Sequence, residues 1–221
     1  MSRADGEVAS MSEQTSVSTV SPDNPCPFLR ALVAGGYLSG HIEELATIAD
    51  TVVAASGAPP TEPGVSRTPV YLIAMIANGL GLTRLAKSIR KGAQLDALRG
   101  GPLDKRGAGS RILNAAGRVD ASELARLDQF AADKVDASGA IERGLGIEQL
   151  RKMMDANFAR AAGKRRRIDR QLMNGEWPIL LRVMGKIAVD GRYLSLAEVR
   201  TMFLDDRLPN RITQRLKREI P

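Results

Sequence analysis

The chain has one cysteine, one histidine and one tryptophan in 221 residues, and aromatic side chains make up only 4%. A single Cys26 rules out an intramolecular disulfide, and one Cys with one His cannot supply zinc-finger spacing. His41 has no accompanying Ser and Asp signature, so a hydrolytic triad is not supported and the residue reads as a surface or capping group. Gly79-Leu80-Gly81 lacks both the lysine and the preceding strand of a phosphate loop. The longest apolar run, Val70 to Leu82, is broken by Asn78, Gly79 and Gly81 and is too short to span a bilayer. Met1 to Asp23 holds no apolar run that would serve as a secretory signal. The expectation is a cytoplasmic protein with no membrane partner.

Hydrophobic residues make up 43%, enough for a sizeable core in one domain. Residues 1–22, rich in Ser, Thr, Val and acids, read as a disordered tail ahead of a domain over 23–221. Net charge is +7, concentrated in Lys87 to Arg106 and in Lys164-Arg165-Arg166-Arg167. No aromatic residues interleave with these runs, so they read as solvated faces and nucleic acid is not an expected partner.

Apolar residues recur at helical spacing. Leu124, Leu127, Phe130 and Ala131 form one stripe, and Ile147, Leu150, Met153, Met154 and Phe158 another. Further helices are predicted over Cys26 to Val33, His41 to Ala55, Thr68 to Asn78, Leu82 to Arg90, Trp177 to Ile187, Ser195 to Leu204 and Asn210 to Arg218. Gly57 to Gly64 and Gly100 to Gly109 read as loops. No stretch shows strand alternation, and no internal repeat is evident. The expected fold is all-α, a single-domain bundle of about eight to ten helices.

Two positions carry most of the chemistry. Cys26 lies between Pro25 and Pro27, and a proline just after it suits the first helical position. The thiol would then stand at a helix N-terminus, where amide donors and the dipole favour thiolate. A rigid, ionised sulfur can hold a soft cation or a haem iron; a buried structural thiol is the alternative. Glu176 precedes Trp177-Pro178 at a second helix start, where a carboxyl against apolar surface suits acid–base work and an ordinary helix-dipole role competes. Asp136-Ala137-Ser138-Gly139-Ala140-Ile141 matches the middle of an EF-hand loop, but Lys134 and Leu145 occupy its first and last ligand positions. A loop between two helices is expected there instead.

Pro25-Cys26-Pro27, followed by a helix closing at Gly36-Tyr37-Leu38, resembles the opening of the haem-thiolate peroxidases of the chloroperoxidase and unspecific peroxygenase family. In the family's order come Val119-Asp120-Ala121-Ser122 with Arg126 and Asp128, then Asn174-Gly175-Glu176, then Met202-Phe203-Leu204-Asp205-Asp206-Arg207-Leu208-Pro209. The resemblance implies a helical fold enclosing haem b, with Cys26 and Pro27 on the proximal side and Cys26 as axial iron ligand. It implies Glu176 as distal acid–base toward hydrogen peroxide, with Arg170 beside it and Arg166 or Arg167 as substitutes. Arg118, Asp120 and Ser122 would lie at a haem propionate. Arg118 and Val119 replace the acid and histidine of the family's motif, so a second divalent metal is not expected. The implied reaction is oxidation or oxygenation of a small organic substrate, or of a halide, by hydrogen peroxide. The alternatives are a haem-binding sensor or carrier of the same family, and a non-catalytic helical module whose basic surface docks an anionic partner.

Overall fold

The computed structural model describes residues 20–57, 65–101, 111–114, 116–160 and 177–220. Helix α1 (Pro27–Ala34) buries Phe28, Ala31, Leu32 and Val33. It ends in paired hydrogen bonds: Gly36 N–H donates to Val33 O at 3.0 Å and Tyr37 N–H to Leu32 O at 2.9 Å. Gly36 takes φ +75°, which explains the glycine before Tyr37 in the opening motif. A two-residue strand β1 (Ile42–Glu43) then leads into α2 (Leu45–Ser56), which packs against α3 (Arg67–Ile76). After α4 (Leu82–Lys91), strand β2 (Ala93–Gln94) pairs antiparallel with β1, Ile42 opposite Gln94. The Asn78 side chain clamps this ribbon, accepting from Gln94 N–H at 2.8 Å and donating to Gln94 O at 2.9 Å.

The C-terminal half corrects the expected fold class. Short α5 (Ala121–Ala125) is followed by β3 (Ala132–Val135), β4 (Ile141–Gly146) and α6 (Ile147–Ala159). A helix α7, described over residues 177–184, precedes β5 (Lys186–Ala188), β6 (Gly191–Ser195), α8 (Leu196–Asp205) and α9 (Asn210–Glu219). The four strands form one antiparallel sheet in the order β3-β4-β6-β5. An isolated bridge between Asp136 and Ala188 joins its two outer strands, so the sheet curls toward a barrel. The protein is therefore mixed α and β, not all-α. The predicted helix Trp177 to Ile187 gives way to β5 at Lys186, and the predicted start at His41 gives way to β1. Asp136 to Ile141 is the turn of the β3–β4 hairpin rather than a link between helices. Asp136 Oδ1 accepts there from Ser138 N–H at 2.8 Å, Ala140 N–H at 3.0 Å and Ser138 Oγ at 2.6 Å.

Two successive hairpin-and-helix units, β3-β4-α6 and β5-β6-α8, meet with Leu145 opposite Leu194. Both leucines are fully buried, and the helices that follow bury Leu150, Met153 and Met154 in one unit and Val199, Met202 and Phe203 in the other. Within the curl, Tyr193 is fully buried, and its ring crosses the strand at Gly144 so closely that any Cβ there would overlap it. Gly144→Ala is expected to destabilise the fold by about 2 kcal/mol through overpacking, read by chemical denaturation. An unchanged midpoint would show that the ring moves aside freely.

On the opposite side, α2 also packs on α9, and α1 on α8. One core thereby runs from Leu32 and Ile48 to Leu150, Met202 and Ile212.

Candidate functional site

Cys26 occupies the N-cap of α1 in extended conformation (φ −87°, ψ 109°), with Pro27 in the first turn, and its side chain makes no capping hydrogen bond. The thiol is half-buried against the core. Its backbone is fixed from both sides. Cys26 N–H donates to Asn24 Oδ1 at 3.1 Å, Asn24 being only 2% exposed, and Cys26 O accepts the first helical bond from Arg30 N–H at 3.0 Å. Asn24 is a positioning residue that sequence reasoning missed; its signal was the Asn-Pro pair that favours a turn.

One turn further on, Arg30 binds both carboxylate oxygens of Asp206 at 2.8 Å and donates to Ser21 O at 3.1 Å. Asp206, at φ +48°, ends α8 in left-handed conformation. The opening and closing segments of the family resemblance are thus tied by a bidentate ion pair.

The stretch before Cys26 is held against the 111–120 loop. Asp23 O accepts from Leu98 N–H at 3.1 Å and Arg99 N–H at 3.0 Å, while Arg99 also donates to Pro22 O at 3.3 Å and Asn114 O at 2.7 Å. Gly117 packs directly on Pro22. Residues 20–22, assigned to the tail by composition, are therefore part of the packed structure, with Val20 against the core.

Within that loop, Asn114 Oδ1 accepts from Ala116 N–H at 2.9 Å and Arg118 N–H at 3.0 Å, and Arg118 itself is exposed. Asp120 and Ser122 are committed to the start of α5. Asp120 Oδ1 accepts from Ser122 Oγ at 2.6 Å, Ser122 N–H at 3.0 Å and Glu123 N–H at 3.2 Å. The Ser122 hydroxyl and these amides hold the Asp120 carboxyl below its ordinary range. The loop brings these residues to the side of the molecule that carries the Cys26 lead-in. Glu176, Arg170, Arg166 and Arg167 lie outside the described residues; Trp177, next to Glu176, is buried in α7. His41 pairs through Nδ1 with Asp96.

A polar cluster in the sheet was not anticipated. Inside the curled sheet, Glu142 accepts from Tyr193 Oη at 2.5 Å, Lys186 Nζ at 2.6 Å and Ser195 Oγ at 2.6 Å. Nearby, Lys134, only 7% exposed, reaches Asp190 at 2.6 Å. Burial raises the affinity of Glu142 for a proton, but the bonds from Lys186, Ser195 and Tyr193 outweigh it and hold the carboxyl below its ordinary range. Burial and the bond to that carboxylate push the Tyr193 hydroxyl upward. These groups satisfy one another, so the cluster has the character of a structural brace.

Among the described residues no group of three or more His, Cys, Asp and Glu is arranged to hold a metal ion. Cys26 offers one sulfur donor, of the kind that can hold a haem iron. Among the same residues, no helix is long and apolar enough to cross a membrane. Compared with protein-family models, with curated proteins and with solved structures, the chain matches none.

Proposed function

We propose that this chain is a haem-thiolate oxidoreductase that uses hydrogen peroxide to oxidise or oxygenate a small organic substrate or a halide. The observation that carries the reading is Cys26: a half-buried thiol between two prolines at the positive end of α1. The Arg30–Asp206 pair adds support, because it joins the two most specific segments of the family resemblance.

Bound haem would supply the one-electron and oxygen chemistry of the reaction. Cys26 Sγ would be the protein's donor to the haem iron, placed at the N-terminus of α1 with its backbone held by the Asn24 turn. Arg30 holds the first turn of α1 in place. Glu176 would serve as the acid–base toward hydrogen peroxide, accepting or giving a proton at its oxygens. Arg170 would offset the negative charge that develops during this transfer. Arg118, exposed on the loop beside the Cys26 lead-in, would be the cation for a haem propionate. Asp120 and Ser122 act one step removed, by starting α5 and so shaping that loop.

The test is the absorption spectrum of full-length protein produced with a haem precursor, reduced and bound to carbon monoxide, followed by peroxide-dependent oxidation of a dye. A strongly red-shifted Soret band with turnover is expected; colourless protein overturns the reading. Glu176→Gln is expected to keep the spectrum and lose turnover. A thiolate spectrum without turnover in the unaltered protein would make the chain a haem carrier.

A further inference from the structure

We propose that α4 docks the protein peripherally on an anionic lipid surface. Leu82, Leu85, Ala86 and Ile89 recur at three- and four-residue steps and form one stripe of this helix, with Arg84, Lys87 and Lys91 on the opposite side. An apolar stripe of that kind ordinarily faces the core, and here it does not. The buried residue of α4 is Ser88, at 2%, whereas Leu82 is 86% and Ile89 57% exposed. Leu80, just before the helix, and Leu72 on the adjoining α3 are half exposed as well.

Charge decides what covers this ridge. No acidic residue occurs between Glu62 and Asp96, while Arg84, Lys87, Arg90 and Lys91 all lie on α4. Arg84 donates to Asn78 O at 3.2 Å and Lys87 to Gln94 Oε1 at 2.9 Å, both neutral acceptors, and among the described residues none of the four is ion-paired. Protruding leucine and isoleucine beside unneutralised cations is the composition of a helix lying in the headgroup region, apolar side chains inserted and basic ones at the phosphates. Nucleic acid would use the charge but leave Leu82 and Ile89 in water. A protein partner would have to offer a groove that is apolar and acidic at once. The absence of a membrane-spanning run bears on crossing a bilayer and not on lying along it.

The test is co-sedimentation of the full chain with phosphatidylcholine vesicles, with and without phosphatidylserine. Binding that depends on phosphatidylserine and weakens with salt is expected. The pairs L82D/I89D and R90E/K91E should each lower it about tenfold or more. L82A/I89A, which adds no charge, should also weaken it and keep the melting temperature, because both positions are exposed. Equal sedimentation with uncharged vesicles, or none with either kind, overturns the proposal. So does full lipid binding by folded L82A/I89A, or tighter capture by RNA or an acidic polypeptide, each of which would reduce α4 to a polyanion site.

Discussion

Cys26→Ser is expected to abolish the red-shifted carbon-monoxide band completely while leaving the stability of the haem-free protein within about 1 kcal/mol of the original. The two halves of this expectation have separate causes. Cys26 sits at an N-cap whose side chain makes no capping bond, and serine is among the residues that cap best, so the hydroxyl offers a first-turn amide the acceptor that sulfur does not provide. That gain offsets the packing lost from a half-buried thiol. Cys26→Ala loses the packing without gaining the cap, so it should rank below serine in melting temperature and match it in lacking the band. A structural thiol predicts the reverse pattern: colourless protein throughout, and both variants clearly less stable. Spectrum and thermal denaturation on the same three proteins therefore separate ligand from filler.

The longer helices were legible because their apolar stripes run for eight residues or more, whereas the predicted stripe Leu124 to Ala131 holds only the five-residue α5 and a tight turn before β3. Pro27 and Gly36 marked the ends of α1 for reasons local to the backbone. The strands were hidden for a physical reason. Strands β3, β4 and β5 turn Lys134, Glu142 and Lys186 into the curl, and leave Val135, Ile141 and Ile187 exposed, so the usual apolar-inside alternation is inverted. Asp190-Gly191, a strong hairpin dipeptide, sits at the β5–β6 turn and was the clearest missed signal. The repeat was equally faint. Leu145-Gly146-Ile147-Glu148-Gln149-Leu150-Arg151-Lys152-Met153-Met154 and Leu194-Ser195-Leu196-Ala197-Glu198-Val199-Arg200-Thr201-Met202-Phe203 agree only at Leu145/Leu194, Arg151/Arg200 and Met153/Met202, and the hairpins ahead of them reveal the match. At the candidate site, sequence pointed to Cys26 but not to Arg30 and Asp206, whose partnership joins distant segments and depends on α1 packing against α8.

The inverted sheet makes Glu142 a position whose loss should cost the fold heavily. Glu142→Ala leaves the buried Tyr193 hydroxyl, the Ser195 hydroxyl and the Lys186 ammonium without their shared acceptor, although Lys186 retains Glu198 at 3.9 Å. Removing one partner from such a network costs about 3 kcal/mol, because the orphaned groups stay out of water. Glu142→Gln keeps the shape and one acceptor oxygen but drops the charge, so it should cost less. The pH dependence tells the two contributions apart. The folded Glu142 carboxyl lies below its ordinary value of 4.5. Its stabilising share is therefore present above that value and is lost as pH falls through the lower folded one. Glu123, held down by Arg160, and the hydrogen-bonded Asp136 share that acid limb, so the unaltered protein alone cannot isolate Glu142. The difference between the protein and Glu142→Gln can: it should be largest near neutral pH and shrink as the solution is acidified below 4.5. Denaturation midpoints across that range supply the measurement. A difference independent of pH would mean that the bonds to Tyr193 and Ser195 hold the brace regardless of the charge, and that Lys186 draws its stability from Glu198 instead.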